Sequence, residues 1–304
     1  MIIVFGSLNM DLVAAVPHLP VPGETVLCDR YDTMPGGKGN NQAVAAARAG
    51  GRVAMAGALG RDGFGIALRD ALAVEGVDHQ WVVDTDRPTG IAMIAVDSHG
   101  ENAITVAAGA NGQADDRVIS DAALGADTIL LMQMETPLGP VRSLLRRGRA
   151  VGAKTVLNTA PALALTPDDL AGLDCLVANE GEIAVMARAL DAGPGEDPGA
   201  AAAAVRTAGV RACVVTLGAQ GVLVVDRAGA TRIAGFPANV VDTTGAGDTF
   251  CGVLAQSLAA GYSLRDAARR GAAAGALACE ALGAQMSMPR SEQIADLSRL
   301  PAKP

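Results

Sequence analysis

The ten residues Val241-Asp242-Thr243-Thr244-Gly245-Ala246-Gly247-Asp248-Thr249-Phe250 join a polar, glycine-containing turn to an apolar run, Thr249–Ala255, that reads as a helix. Backbone N–H groups at a helix start have no intrahelical partner, and together with the helix dipole they favour an anion. Gly245 and Gly247 let the chain approach that anion closely, because neither carries a Cβ. Asp248 lies in the same turn. A carboxylate beside an anion site is electrostatically unfavourable, and it gains a use if it must take a proton from a nucleophile. The structural alternative is a helix N-cap, a common task for Asp.

Other polar groups fall where a small-molecule site could use them. Pro35-Gly36-Gly37-Lys38-Gly39-Asn40-Asn41-Gln42 leads into a helix, and its glycines let backbone donors meet a polar ligand. It is neither a P-loop nor G-x-G-x-x-G, and a tight turn with a capping Asn explains it equally well. Asn9 and Asp11, one residue apart, point to the same side of a strand-like segment. With Asn41 they offer the donors and acceptors that a polyol needs; a turn built on Asx side chains is the alternative. Glu135 follows the strand ending at Met132, and Thr136 with Pro137 reads as the N-cap and first residue of the next helix. Asn179 and Glu182, spaced N-x-x-E, suit a magnesium ion that keeps most of its waters, and equally suit a capping box. Thr216-Leu217-Gly218-Ala219-Gln220-Gly221 can touch a planar ring or a phosphate, or simply turn a hairpin. His18, His79 and His99 have no spacing for metal or triad chemistry.

The elements that must position these groups alternate along the chain. Strands are expected at Ile2–Phe5, Val53–Gly57, Thr128–Met132, Thr155–Asn158, Cys175–Ala178, Cys213–Thr216 and Val222–Val225. Helices are expected at Asn41–Ala49, Phe64–Val74, Leu138–Val151, Gly181–Leu190 and Gly199–Gly209. Such alternation implies an α/β fold, Rossmann-like, with a mainly parallel central sheet and helices on both faces. Ligands in such sheets bind beyond the carboxyl ends of the strands. Two segments, about 12–35 and 88–108, contain paired extended pieces without a helix between them. They are expected to form a small protruding β-sheet lid within a single domain spanning 1–304.

Composition narrows the classes. The chain has 304 residues, half of them hydrophobic, but one Trp, two Tyr and four Phe, so aliphatic residues must build the core. A net charge of −8 gives no footprint for nucleic acid or an anionic membrane. Five scattered cysteines argue against a zinc site and a disulfide framework. With no apolar run of membrane-span length and no basic leader, a cytoplasmic protein is expected.

Taken in order, several segments resemble the ribokinase family of carbohydrate kinases. They are Gly6–Asp11, Pro22-Gly23-Glu24-Thr25, Gly36–Ala47, Met132–Leu138, Asn158–Ala162, Asn179–Glu182, Thr216-Leu217-Gly218 and Asp242–Phe250, which run over nearly the whole chain. The resemblance implies ATP-dependent phosphorylation of the 5-hydroxyl of D-ribose. It implies a sugar site of Asn9, Met10, Asp11, Gly37, Lys38, Gly39, Asn40, Asn41 and Glu135. Asp248 would be the general base, with the amides of Gly245, Ala246 and Gly247 on the transferring phosphoryl group. Thr216–Gly221, with Asn179, Gly247 and Ala272, would line the nucleotide site. Asn179 and Glu182 would act on magnesium through water. Asp242, Thr244, Ala278, Ala281, Gly283 and Ser287 would hold potassium. Ala272 departs from the His or Asn that relatives often place near adenine. The resemblance also implies a homodimer through the lid sheet. The alternatives are a sister kinase for 2-deoxyribose, fructose or a keto-deoxy sugar acid, or a non-catalytic sugar-binding protein on the same fold. A nicotinamide-dependent oxidoreductase is disfavoured by the missing dinucleotide fingerprint.

Overall fold

The computed structural model describes residues 1–193 and 195–299. In chain order its elements are β1 (Ile2–Phe5), β2 (Asn9–Ala15), β3 (Tyr31–Gly36), α1 (Lys38–Arg48), β4 (Val53–Gly60), α2 (Gly63–Val74), β5 (Asp78–Thr85), β6 (Gly90–Val96) and β7 (Asn102–Ala107). Then come β8 (Ile129–Met132), α3 (Leu138–Ala150), β9 (Lys154–Asn158), α4 (Pro167–Leu170), β10 (Cys175–Asn179), α5 (Glu180–Ala189), α6 (Pro198–Thr207) and β11 (Ala212–Thr216). The chain closes with β12 (Val222–Asp226), β13 (Gly229–Ile233), α7 (Ala246–Ala259), α8 (Leu264–Ala278), α9 (Ala284–Ser287) and α10 (Ser291–Arg299).

Nine strands form one sheet in the order β13-β12-β11-β10-β9-β8-β1-β4-β5, parallel from β11 to β5 and antiparallel at β11-β12-β13. Alternation along β1 explains why two apolar layers flank it. Ile3 and Phe5 join the layer that includes Leu130, Leu144 and Leu176, while Ile2 and Val4 join Leu131, Val177 and Leu254 on the other face. Each such side chain taken fully out of water contributes about 1.5–3 kcal/mol. The chain leaves β1 toward β4 on one side and returns to β8 on the other. The carboxyl ends of β1 and β8 therefore diverge at a topological switch point, where open α/β sheets hold ligands. A separate four-stranded sheet, β3-β2-β6-β7, stands beyond that crevice.

Several expectations need revision. β5 and β13 are not visible as apolar runs because they are the two edges of the large sheet, partly exposed and interrupted by polar residues. α8 escapes notice because its buried face is mostly alanine and glycine; Gly271 sits so close to Phe250 that a Cβ there would lie 2.9 Å from the ring. α7 begins at Ala246, with Gly245 as its N-cap at φ 76°, so Asp248 is inside the helix and is not the cap. α3 begins at Leu138 with Pro137 as N-cap, and the hydroxyl of Thr136, buried without a partner, caps nothing. No capping Asn starts α1, whose N-cap is Gly37. Among the described residues no helix is long and apolar enough to cross a membrane.

Candidate active site

The crevice between β1 and β8 is closed by the N-terminus of α1. Gly39 lies against Gly6 so tightly that a Cβ on Gly39 would stand 2.6 Å from the Gly6 carbonyl carbon. That approach hands the first turn of α1 to polar partners from both strands. Ser7 Oγ donates to Glu135 Oε2 at 2.5 Å and accepts from the Gly39 amide at 3.3 Å. The Lys38 amide also donates to Glu135 Oε2, at 3.1 Å, while Lys38 Nζ stands 4.0 Å from Oε1. Glu135 is thus tied to α1.

The four-stranded sheet contributes the opposite wall. Asn9 and Asp11 share one face of β2, as their spacing requires. Asn9 Oδ1 accepts from Asn111 Nδ2 at 2.7 Å, and Asn111 is held in turn by the backbone of Leu8. Met10, on the other face, is buried in the apolar layer with Leu8 and Leu59. Burial, followed by the nearby charges of Glu135 and Asp248, pushes Asp11 up to about 7 against the pull of Lys38. Burial alone would lower Lys38, but Asp248, Glu135 and Glu182 outweigh it and hold the ammonium above its ordinary value.

Asp248 is the convergence point. It is only 8% exposed. Asn41 Nδ2 donates to its Oδ2 at 3.0 Å, and Gln42 Nε2 donates to its Oδ1 at 3.0 Å. Gln42 Nε2 also reaches Asn158 Oδ1 at 3.1 Å, and Gln42 Oε1 accepts from Gln133 Nε2 at 2.7 Å. Burial raises Asp248 above the ordinary carboxylate value, while Lys38, Asn41 and Gln42 act in the opposite direction. The carboxyl is therefore oriented through both oxygens and primed to accept a proton. Gln42, Gln133, Asn158, Ser7 and Asn111 were not singled out from sequence. The first four stand in the very segments that carry the family resemblance, which was the available signal; Asn111 stands outside them.

Two adjoining cavities lead to Asp248. The smaller, of 160 Å³, is lined by Lys38, Asn158, Asn179, Glu182, Gly245, Asp248 and Cys251 among others. The larger, of 670 Å³, runs between β11-β12 and α7-α8 and is lined by Thr216, Gly218, Ala219, Gly221, Phe236, Ala272 and Cys279 among others. Asn179, Thr216 and Gly247 border both. The lining of the larger cavity contains no Lys or Arg; the starts of α5 (Asn179, Glu180, Gly181) and α7 (Ala246, Gly247) point into it instead. Backbone donors and helix dipoles therefore supply its positive potential. Thr216–Gly221 both lines this space and turns the β11-β12 hairpin. Within it Leu217 is buried, and Gln220 accepts a hydrogen bond from Arg232.

Asn179 and Glu182 form a full capping box: Asn179 Oδ1 accepts from the Glu182 amide at 2.8 Å and Glu182 Oε2 from the Asn179 amide at 2.9 Å. Burial raises Glu182 above the ordinary value, against that hydrogen bond and Lys38. Behind α7, Asp242 Oδ1 accepts from the amide and hydroxyl of Thr244 at 2.9 and 2.7 Å, and its Oδ2 from the Gly283 amide at 2.9 Å. Burial acts to raise Asp242, but these donors outweigh it and hold the group below the ordinary value. Ser287 Oγ turns to the Ala284 carbonyl, Ala278 ends α8, and Ala281 is exposed. Asn40, buried in α1, donates to the Gly36 carbonyl at 3.1 Å.

Comparison with known proteins agrees with this architecture. Residues 1–291 match the pfkB family carbohydrate kinase profile. A ribokinase from Haemophilus influenzae is 37% identical over 293 residues, covering 95% of each chain. The crystal structure of ribokinase from Thermotoga maritima matches with a TM-score of 0.92 at 32% identity, over 98% of this chain and 99% of that one. Ribokinase from Arabidopsis thaliana, solved as a complex with ribose and ATP, matches with a TM-score of 0.89 at 30% identity over 98% of both chains. With the match spanning both sheets and every segment that reaches Asp248, the chain belongs to the pfkB family of carbohydrate kinases.

Proposed function

We propose that this protein transfers the γ-phosphoryl group of ATP to the 5-hydroxyl of D-ribose, giving ribose 5-phosphate and ADP. The observation that carries the reading is Asp248, buried and held by Asn41 and Gln42 where the polar crevice meets the cavity lined by helix starts. Asn9, Asp11, Lys38, Asn41 and Glu135 supply mixed donors and acceptors for a polyol, and the larger cavity takes the nucleotide. The hydroxyl proton passes to the Asp248 carboxylate as the hydroxyl oxygen bonds to the γ-phosphorus. The bond from phosphorus to the ADP oxygen then breaks, and ADP takes that electron pair. The amides of Gly245 and Gly247 meet the charge spread over the phosphoryl oxygens, which is where catalysis of this transfer resides, whereas the Ala246 amide, expected to join them, donates to the Thr243 carbonyl at 3.2 Å.

The residues fit the ions that the family resemblance implies. Glu182 Oε1 has no hydrogen bond among the described residues, so the carboxylate can hold a water of a magnesium ion on the phosphates. Asp242 is fixed through both oxygens beside the end of α8; Oδ1 already accepts two hydrogen bonds, while Oδ2 accepts one and keeps a lone pair for a potassium ion. Bound there, the cations supply charge compensation for the nucleotide. The face of the four-stranded sheet that carries Asp11 also carries Ile104 and Val106, 54% and 52% exposed. A second copy of the chain covering that face would make a homodimer.

ADP release measured over a panel of pentoses, hexoses, sugar acids and nucleosides tests the substrate. Ribose is expected to lead, and preference for another sugar moves the assignment within the family. Asp248→Asn should abolish turnover while ribose and ATP still bind; near-normal turnover would sink the general-base role.

A further inference from the structure

Gln285 has no part in the transfer just described, yet it touches the residue that orients the base. Its Nε2 donates to Asn41 Oδ1 at 3.1 Å, and Asn41 Nδ2 donates to Asp248 Oδ2 at 3.0 Å. A carboxamide has an acceptor end and a donor end, and its two flipped orientations differ little in shape. A donor at Oδ1 leaves only the Nδ2 end to face Asp248. Without that donor, the flipped amide would set Oδ1 against a carboxylate, acceptor upon acceptor.

Gln285 is itself braced from behind. Its backbone carbonyl accepts from Arg48 Nη1, which also donates to the Met288 backbone carbonyl at 3.2 Å. Arg48 is fixed by Glu75 through Nε at 3.0 Å and Nη2 at 2.5 Å, and both side chains are largely buried. On the other side, the Gly283 amide is bound to Asp242 at 2.9 Å. The short helix α9 therefore hangs between an ion pair and the Asp242 loop. Its first residue, Ala284, abuts Gly245 of the anion-binding turn.

We propose that Gln285 is a positioning residue for Asp248 that acts through Asn41, with Arg48 as the brace that keeps it in reach. The proposal rests on the reading of Asp248 as the general base. Lys38 on α1, Glu135 after β8, Asp11 on β2, Glu182 on α5 and Cys251 on α7 are the other titratable groups around Asp248, and all remain in a Gln285 variant. The change left to detect is the loss of one oriented donor from the carboxylate. That loss makes the protonated, inactive form of the base easier to reach, so activity should fall at a higher pH than in the wild type.

The test compares pH–rate profiles of wild type, Gln285→Met, Asn41→Ala and the double variant, with thermal melting of each. Gln285→Met keeps the side-chain length and removes the donor. Its acid limb should move to higher pH, with a loss of about tenfold on that limb and less than about twofold on the alkaline plateau. In the Asn41→Ala background the same substitution should add nothing, because the residue through which it acts is gone. An unmoved acid limb overturns the proposal. A uniform loss at every pH with a lower melting temperature, or full additivity with Asn41→Ala, overturns it too. Asp248→Asn measured alongside separates the two levels: turnover by that variant removes the base and the proposal with it, whereas an inactive Asp248→Asn beside an unmoved Gln285→Met profile removes the proposal alone.

Discussion

Replacing Asp11 by Asn should make the protein more stable and a poorer holder of sugar. Four carboxylates, Asp11, Glu135, Glu182 and Asp248, act on one ammonium at Lys38, and burial is the largest influence on Asp11. Its carboxyl moves from an ordinary 3.8 to about 7. A tenfold change in proton affinity corresponds to about 1.4 kcal/mol, so ionised Asp11 costs the folded state up to about 4 kcal/mol. The sign follows from proton counting. Between 3.8 and about 7 the folded protein holds a proton on Asp11 that the unfolded chain has released. Stability from this group therefore falls as pH rises through that window, and the cost is complete above it.

Asn at position 11 carries no charge at any pH, so it removes the cost. Denaturant titrations of wild type and Asp11→Asn should differ by about 2–4 kcal/mol on the alkaline side of neutrality. The difference should shrink toward zero as the pH approaches the ordinary carboxylate value. Calorimetry or steady-state kinetics on the same samples should record weaker ribose binding, since a carboxylate accepts hydroxyl hydrogen bonds more strongly than an amide oxygen. A variant no more stable than wild type at alkaline pH, or a gain independent of pH, would refute the electrostatic account.

Four further outcomes are expected. Gly245→Ala forces φ 76° on an L-residue and places a Cβ 2.8 Å from Ala284 Cα, so it should cost about 1–3 kcal/mol in denaturation and lower kcat at least about tenfold. Gly247, by contrast, has open space where a Cβ would go; Gly247→Ala should gain about 0.5–1 kcal/mol as a helical residue while raising KM for ATP, and unchanged ATP kinetics would argue against its placement at the phosphates. Turnover in potassium buffer should exceed that in sodium-only buffer, and equal rates would count against a potassium site at Asp242. Ile104→Lys, on the exposed face of β7, should yield monomers in sedimentation analysis; a monomeric wild type would remove the homodimer.

What could be read from the chain depended on whether a contact was local. The anion-binding turn at Asp242–Phe250 was legible because its glycines, acid and helix lie within ten residues. The N-x-x-E pair was legible for the same reason, although the capping box and an ion site share one pattern and both readings fit it. The orientation of Asp248 was not legible, because Asn41 and Gln42 reach it from a helix about two hundred residues earlier in the chain. Neither was the buried row of Gln42, Gln133 and Asn158, since a polar residue inside an apolar layer is justified only by partners the sequence does not place beside it. Boundaries failed where tertiary packing chose the cap. Gly245 starts α7 against Ala284, and Pro137 starts α3 in place of Thr136.

The division of charge across the site explains how a chain of net charge −8 can take a polyanion. The carboxylates of Asp11 and Glu135 stand on the β2 and α1 side, around Lys38, while the larger cavity has no Lys or Arg in its lining and receives the starts of α5 and α7. Fixed cations there would also have lowered Asp248, by pairing with it, and weakened it as a base. Backbone amides offer positive potential that falls away within the first helical turn. Asp248 lies in that first turn, but partial charges favour its ionised form less than paired cations would, and burial still holds its carboxyl above the ordinary value, as the proposed general base requires. The anion-binding turn and the buried acid that share Asp242–Phe250 are therefore compatible because one is made of dipoles and the other of charge.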